Sequence, residues 1–268
     1  MNKYTLTKHI FNKKLGQHFL IDKNIIDVII KSLNIKNNDA LIEIGAGLGA
    51  LTIPIAQYVN NITAIEIDQT LINKLLNNHE LKNKLTIIKQ NVLAVNFNKI
   101  ADHKKQKLRI FGNLPYNISI PIIFHLFKYI DNIHDMIFML QKEVVNRLIS
   151  TPNNKTYGKL TVMTKYHCKI IPILTVSPTA FIPIPKVYSE LIHLIPHTTN
   201  IYPTCNIRLL HKITTLAFNK RRKIITNSLK KIFNKQDFVN LDINLTNRPE
   251  NISIKQYCQL TNLYEQKI

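Results

Sequence analysis

Short apolar runs alternate with amphipathic stretches over the first two thirds of this chain. Ile25, Ile26, Ile29, Ile30 and Leu33 recur at helical spacing and predict a helix over about 22–34. Leu41 to Ile44 reads as a short buried strand, followed by a helix from about Gly49 to Tyr58. Ile62 to Ile67, Leu85 to Ile88, Leu108 to Phe111 and Met136 to Leu140 read as further strands, with helices over about 71–76 and 119–129. This alternation predicts an α/β, doubly wound, Rossmann-like fold: a parallel sheet covered on both faces. After about residue 177 the texture changes. Pro178, Pro183, Pro185 and Pro196 interrupt it, with one strand, Leu191 to Ile195, between them. From about 204 the chain reads helical, and Ser253-Ile254-Lys255-Gln256 has the form of a capping box for a last helix. The expected division is a 1–200 domain with a basic N-terminal extension and a small helical domain over 201–268.

At 268 residues and 45% hydrophobic, the chain can bury a substantial core. It has no apolar run of about 18 residues, which argues against a membrane helix. Met1 to Lys14 lacks the apolar centre of a signal peptide. Cys168, Cys205 and Cys258 fit no disulfide or metal spacing, so reduced thiols in a cytoplasm are expected. His193 and His197 flank a strand end with Pro196 between them, and no metal is expected.

The formal net charge of +20 points to a nucleic acid partner. Placement says more than the sum. Between Glu190 and Asp237 stand nine Lys or Arg residues and no Asp or Glu. Within that stretch Lys220, Arg221, Arg222 and Lys223 are expected to begin a basic helix suited to RNA phosphates, a solvated face being the alternative.

Two motifs carry the candidate chemistry. Gly45, Gly47 and Ala50 match the pattern of a dinucleotide-binding turn, and Glu66, at the end of the next strand, suits ribose hydroxyls. Up to this point a nicotinamide site and an S-adenosylmethionine site look alike. Asp68 reads as a helix cap, and Asn91 as either an adenine contact or an ordinary turn residue. Asn113-Leu114-Pro115-Tyr116 then follows a strand through Gly112. It joins an amide oxygen, backbone carbonyls, a stiff proline and an aromatic face, a set that suits a flat base with an exocyclic amine. Such an amine is a poor nucleophile that no ordinary side chain deprotonates, so catalysis must rest on positioning and electrostatics. The Asn113 oxygen and a carbonyl near Leu114 or Pro115 would each accept one amine hydrogen, and Tyr116 would stack on the base. Phe181, on a loop with Pro183 and Pro185, reads either as a second stacking face or as a core anchor.

These residues carry a family resemblance along nearly the whole chain. The segments are Leu15 to Leu20, Glu43 to Gly49, Phe111 to Ser119, Leu140 to Arg147, Phe181 to Lys186, Ala217 to Leu229 and Glu250 to Ser253. The chain resembles the bacterial small-subunit (16S) ribosomal RNA adenine dimethyltransferases. The resemblance implies a methyltransferase domain with a small helical C-terminal domain, and dimethylation of two adjacent adenines near the RNA 3′ end, late in subunit assembly. It implies that His18, Leu20, Gly45, Glu66, Asn91 and Asn113 line an S-adenosylmethionine site and that Tyr116 and Phe181 hold the target base. The partner would be the small ribosomal subunit and its RNA, the enzyme a cytoplasmic monomer. Three positions depart from the family pattern: Asn91 and Tyr188 stand where Asp is usual, and Ile184 where Pro is frequent. The rivals are a large-subunit RNA enzyme, an adenine DNA methyltransferase, an NAD oxidoreductase and a non-catalytic assembly factor.

Overall fold

A computed structural model of the chain describes residues 17–220 and 222–268. The basic extension, Leu15, Gly16 and Arg221 lie outside the described residues. The chain forms two compact units, one of residues up to Val145 with Ile171–Pro196, the other of Asn146–Ile170 with His197–Ile268.

In chain order the first elements are β1 (Phe19–Leu20), α1 (Lys23–Leu33), β2 (Ala40–Ile44), α2 (Thr52–Ile55), β3 (Ile62–Glu66), α3 (Gln69–Leu76), β4 (Leu85–Lys89) and α4 (Phe97–Lys104). There follow β5 (Leu108–Asn113), α5 (Ser119–Leu126), β6 (Ile133–Gln141), α6 (Lys142–Ile149), α7 (Lys159–His167), β7 (Cys168–Val176), β8 (Phe181–Ile182) and β9 (Ser189–Pro196). Seven strands form one sheet in the order β4-β3-β2-β5-β6-β9-β7. Those from β4 to β6 are mutually parallel. β9 runs antiparallel to β6, so the sheet is mixed where a parallel one was expected. The residues before β9 form only a 3-10 turn, Pro178–Ala180, and the two-residue β8.

Helix ends follow their capping chemistry. Asp22 accepts from the N–H groups of Asn24 and Ile25 to start α1, and Asn34 closes it with φ of 44°. Asp68 does the same for α3 through Thr70 and Leu71. The helix expected from Gly49 to Tyr58 shrinks to α2, the four residues Thr52–Ile55. Pro54 lacks a backbone donor, and the chain leaves α2 by i to i+3 bonds, Tyr58 N–H to Ile55 O at 2.9 Å.

β8 pairs with β1, placing Leu20 opposite Phe181 and Phe19 opposite Ile182. The Ile21 N–H also bonds to Ala180 O at 2.9 Å. This ladder carries the Phe181 ring into the core with Leu20, Val176, Ala180 and Leu191, where it is fully buried. This burial favours the core-anchor reading of Phe181 over the stacking one.

The second unit adds α8 (Ile207–Phe218), α9 (Ile225–Ser228), α10 (Lys235–Val239) and α11 (Ile254–Glu265), with Ser253 and Gln256 forming the expected capping box. Residues 146–170, which the sequence division kept with the sheet, are joined to this unit by backbone anchors. Asn153 N–H bonds to Glu250 O at 2.9 Å, and the Tyr157 hydroxyl donates to Ile252 O at 3.0 Å. The basic stretch also differs from expectation. α8 ends at Phe218, Lys223 N–H bonds to Lys220 O, and α9 starts only at Ile225. Among the described residues the stretch lies between two helices and carries the exposed Lys220, Arg222 and Lys223.

One buried ionic cluster ties the sheet together. Arg109 of β5 grips Asp135 of β6 with Nε at 2.9 Å and Nη2 at 2.7 Å, and reaches Asp39 with Nη1 at 2.6 Å. His193 of β9 adds a contact to Asp135 at 3.0 Å. Burial alone would raise the Asp135 carboxyl, but the hydrogen bonds from Arg109 and His193 prevail and hold it at about 2. Its contribution to stability is therefore present above the ordinary carboxylate value of about 4 and lost as pH falls from there toward 2. Asp135→Asn should cost about 3–5 kcal/mol in urea unfolding at neutral pH, since it leaves Arg109 underpaired. It should also flatten the acid limb of stability over that window; an unchanged limb would contradict the assignment. Phe181→Ala should cost about 3–5 kcal/mol, and a loss below about 1 kcal/mol would contradict the anchor role.

Candidate active site

The parallel strands end on one side in a single cavity of about 290 Å³. β2 delivers the Gly45–Leu51 loop, β3 delivers Glu66, β4 leads to Asn91, and β5 delivers Asn113 and the turn after it. Strand order reverses between β2 and β5, and a crevice at that switch point is where doubly wound sheets bind ligands. The two motifs meet because β2 and β5 touch at their ends. A Cβ on Gly112 would overlap the carbonyl oxygen of Ile44. Gly47 sits at φ of +59°, and a Cβ there would lie 3.0 Å from the Phe19 ring.

The catalytic turn is fixed from three sides. Leu114 N–H bonds to Met139 O at 3.3 Å, and Ile118 N–H to Pro115 O at 3.2 Å. The Asn113 side-chain amide donates from Nδ2 to the carbonyl of His18 at 2.7 Å. A carbonyl only accepts, so the amide nitrogen must face it. The Asn113 oxygen is left without a protein partner among the described residues. So is the Leu114 carbonyl, whereas the Pro115 carbonyl is engaged. The pair of free acceptors anticipated at this turn is thus Asn113 Oδ1 and Leu114 O. Tyr116 stacks on His18 at 5.2 Å, and its hydroxyl meets Ser189 Oγ at 2.5 Å. Burial raises the Tyr116 phenol above its usual value, so it stays neutral. His18 donates from Nδ1 to Pro183 O at 2.7 Å.

Glu66 is buried and accepts three backbone N–H groups, from Gly47 at 3.1 Å, Ile67 at 2.8 Å and Asp68 at 3.0 Å. A carboxylate offers about four acceptor positions, so it has capacity for about one strong bond to a ribose, not two. Asn91 caps the turn Val92–Ala94 by accepting from Leu93 N–H at 3.0 Å. That bond uses one acceptor position of its oxygen and leaves a second, together with the donor Nδ2.

All the cofactor-site residues anticipated, His18, Leu20, Gly45, Gly47, Glu66, Asn91 and Asn113, line this one cavity, together with Leu114, Pro115 and Tyr116. Phe181 does not. Lys220, Arg222 and Lys223 belong to the second unit. Sequence reasoning gave no role to Glu43, which also lines the cavity; its signal was an acid inside the fully buried run Ala40–Ile44. Ser189, which holds the Tyr116 hydroxyl, carried no signal at all.

The charge of the lining contrasts with that of the chain. Among the described residues no Lys or Arg lines the cavity, and its acidic side chains are Glu43 and Glu66. Among the described residues a pyrophosphate would meet no Lys or Arg here. A ligand with positive charge and few anionic groups does fit.

Comparison with known proteins agrees. The profile of the family described as ribosomal RNA adenine dimethylase matches residues 8–266. The chain is 50% identical over 262 residues to "Ribosomal RNA small subunit methyltransferase A" of Yersinia pestis, covering 98% of this chain and 96% of that one. Among solved structures, a dimethyladenosine transferase from Plasmodium falciparum has a TM-score of 0.80 at 24% identity, covering 93% of this chain and 98% of the other. A 23S rRNA methyltransferase, ErmE, has a TM-score of 0.68 at 20% identity, covering 92% and 100%. At those identities the two structures establish the fold alone. The profile and the 50% relative establish more: this chain belongs to the ribosomal RNA adenine dimethylase family, enzymes that draw their methyl groups from S-adenosylmethionine.

Proposed function

We propose that the chain dimethylates two adjacent adenines near the 3′ end of small-subunit ribosomal RNA, late in assembly of that subunit. The choice of subunit is supported by the 50% identity, over 98% of the chain, to a small-subunit methyltransferase. The likeness to ErmE is one of fold and favours neither subunit. The enzyme works as a cytoplasmic monomer on a ribonucleoprotein particle. No helix among the described residues is long and apolar enough to cross a membrane.

The observation that carries the mechanism is the pair of unengaged acceptors, Asn113 Oδ1 and Leu114 O, on residues lining a cavity that holds two glutamates and, among the described residues, no Lys or Arg. S-adenosylmethionine supplies an electrophilic methyl group on a positively charged sulfur, and this lining suits a cation. Gly45, Gly47, His18 and Leu20 shape the walls, and Glu66 takes a ribose hydroxyl. Asn113 and Leu114 each accept a hydrogen of the adenine amine, which turns the nitrogen lone pair toward the methyl group. His18 O holds the Asn113 amide in that orientation before substrate arrives, so no reorganisation is required in the transition state. Pro115 stiffens the turn, and Tyr116 presents its ring to the base and excludes water. Lys220, Arg221, Arg222 and Lys223 bind RNA phosphates.

Asn113→Ala should slow single-turnover methyl transfer to unmethylated small subunits by about 100- to 1000-fold while leaving particle binding intact. Equal loss of binding, or unchanged transfer, would contradict the positioning role. Beyond its cap Asn91 presents one acceptor position and a donor, and the adenine amine of the cofactor is a donor. Asn91→Asp keeps the cap and adds an acceptor, so calorimetry should show cofactor binding tighter by about fivefold, about 1 kcal/mol. Binding no tighter than wild type would contradict this use of the side chain.

A further inference from the structure

Glu43 is the least expected group in the cavity. It stands in β2, where all five residues are buried, and its partners on the flanking strands are Ala64 of β3 and Phe111 of β5. It is 2% exposed. Its Oε2 accepts from the Thr52 hydroxyl of α2 at 2.6 Å, and its other oxygen has no protein partner among the described residues. A lone buried carboxylate with no cation is costly, and such a group keeps its proton instead. Burial pushes the Glu43 carboxyl up to about 8; the Thr52 bond opposes this and the negative Glu66 of β3 adds to it. Among the described residues the remaining titratable groups of the lining are His18, before β1, and Tyr116, after β5, with no Lys or Arg.

We propose that Glu43 is a charge-sensing specificity residue: it holds a proton in the free cavity, releases it when the cationic methyl donor enters, and so separates donor from product. This rests on the proposal that S-adenosylmethionine occupies this cavity. The balance is simple. On binding, the carboxylic acid would become a carboxylate and one proton would go to water, so that a buried negative charge balances the positive charge the donor brings in. On transfer, the carbon–sulfur bond to the methyl breaks, the sulfur becomes a neutral thioether, and the amine gains the methyl and sheds one proton to water. The carboxylate then lacks its counter-charge, takes up a proton again, and the product is held less tightly. Donor affinity should therefore climb as pH rises toward about 8 and level off above it.

The test is calorimetry of S-adenosylmethionine and of S-adenosylhomocysteine in buffers of different ionisation enthalpy, which counts protons exchanged. The product keeps the α-ammonium but lacks the charged sulfur, so it separates the two possible sources of positive charge. At pH 7 the donor should release about one proton and the product far less, and donor release should vanish well above pH 8. Glu43→Gln should bind the donor with no such release. In the wild-type protein the infrared carbonyl band of a buried carboxylic acid should disappear on donor binding, a readout that does not depend on the variant folding. Equal release by donor and product, release that persists in Glu43→Gln, or an acid band that survives donor binding would each overturn the proposal. Absence of any donor binding would instead overturn the assignment of the cavity.

Discussion

Gly112 has no side chain, and the catalytic cleft depends on the close approach this allows. The end of β5 lies against the carbonyl of Ile44 at the end of β2, with no room for a Cβ between them. One strand leads into the glycine loop and the other into the Asn113 turn. Their contact sets the span between a site for a methyl donor and a site for an amine. Order in the rest of the site follows from it. His18 can reach Asn113 only because β1 is laid over the cavity, and β1 is held there by its ladder to β8 and by the buried ring of Phe181.

The chain solves two opposed electrostatic problems in separate places. Its substrate is a polyanion, and its net charge of +20 suits that partner. Its methyl donor is cationic at sulfur, and a strongly basic cavity would repel it. Among the described residues the cavity accordingly holds no Lys or Arg and gathers two glutamates. Those acids would repel each other if both were ionised in the empty site. One is satisfied by three backbone N–H groups, and the other is kept neutral by burial. The strong hydrogen bonds and the strong desolvation thus fall on different carboxyls, which assigns them different tasks.

Much of this was legible in the residues. The helical period of Ile25 to Leu33 and the apolar runs of the parallel strands gave those elements and the doubly wound class, because each depends on local pattern and burial. The glycine loop, Glu66 and the Asn113 turn were legible because each combines residue types with few other uses. What escaped depended on contacts remote in sequence. Nothing near Phe181 shows that β8 pairs with β1, so its burial could not be separated from a stacking role. The short α2 turned on Pro54, whose effect depends on where within the turn it falls. Residues 146–170 join the second unit through Tyr157 and Asn153, whose partners lie about a hundred residues away. Glu43 was visible as an acid in an apolar strand, but its role required seeing that Thr52 is its one protein partner.

The most direct test of the central claim is to incubate the protein with S-adenosylmethionine and unmethylated small ribosomal subunits and to map modified bases by mass spectrometry. The account predicts two adjacent dimethylated adenines near the 3′ end of the small-subunit RNA. Methyl transfer confined to large-subunit RNA, or no transfer despite tight binding of the particle, would contradict it.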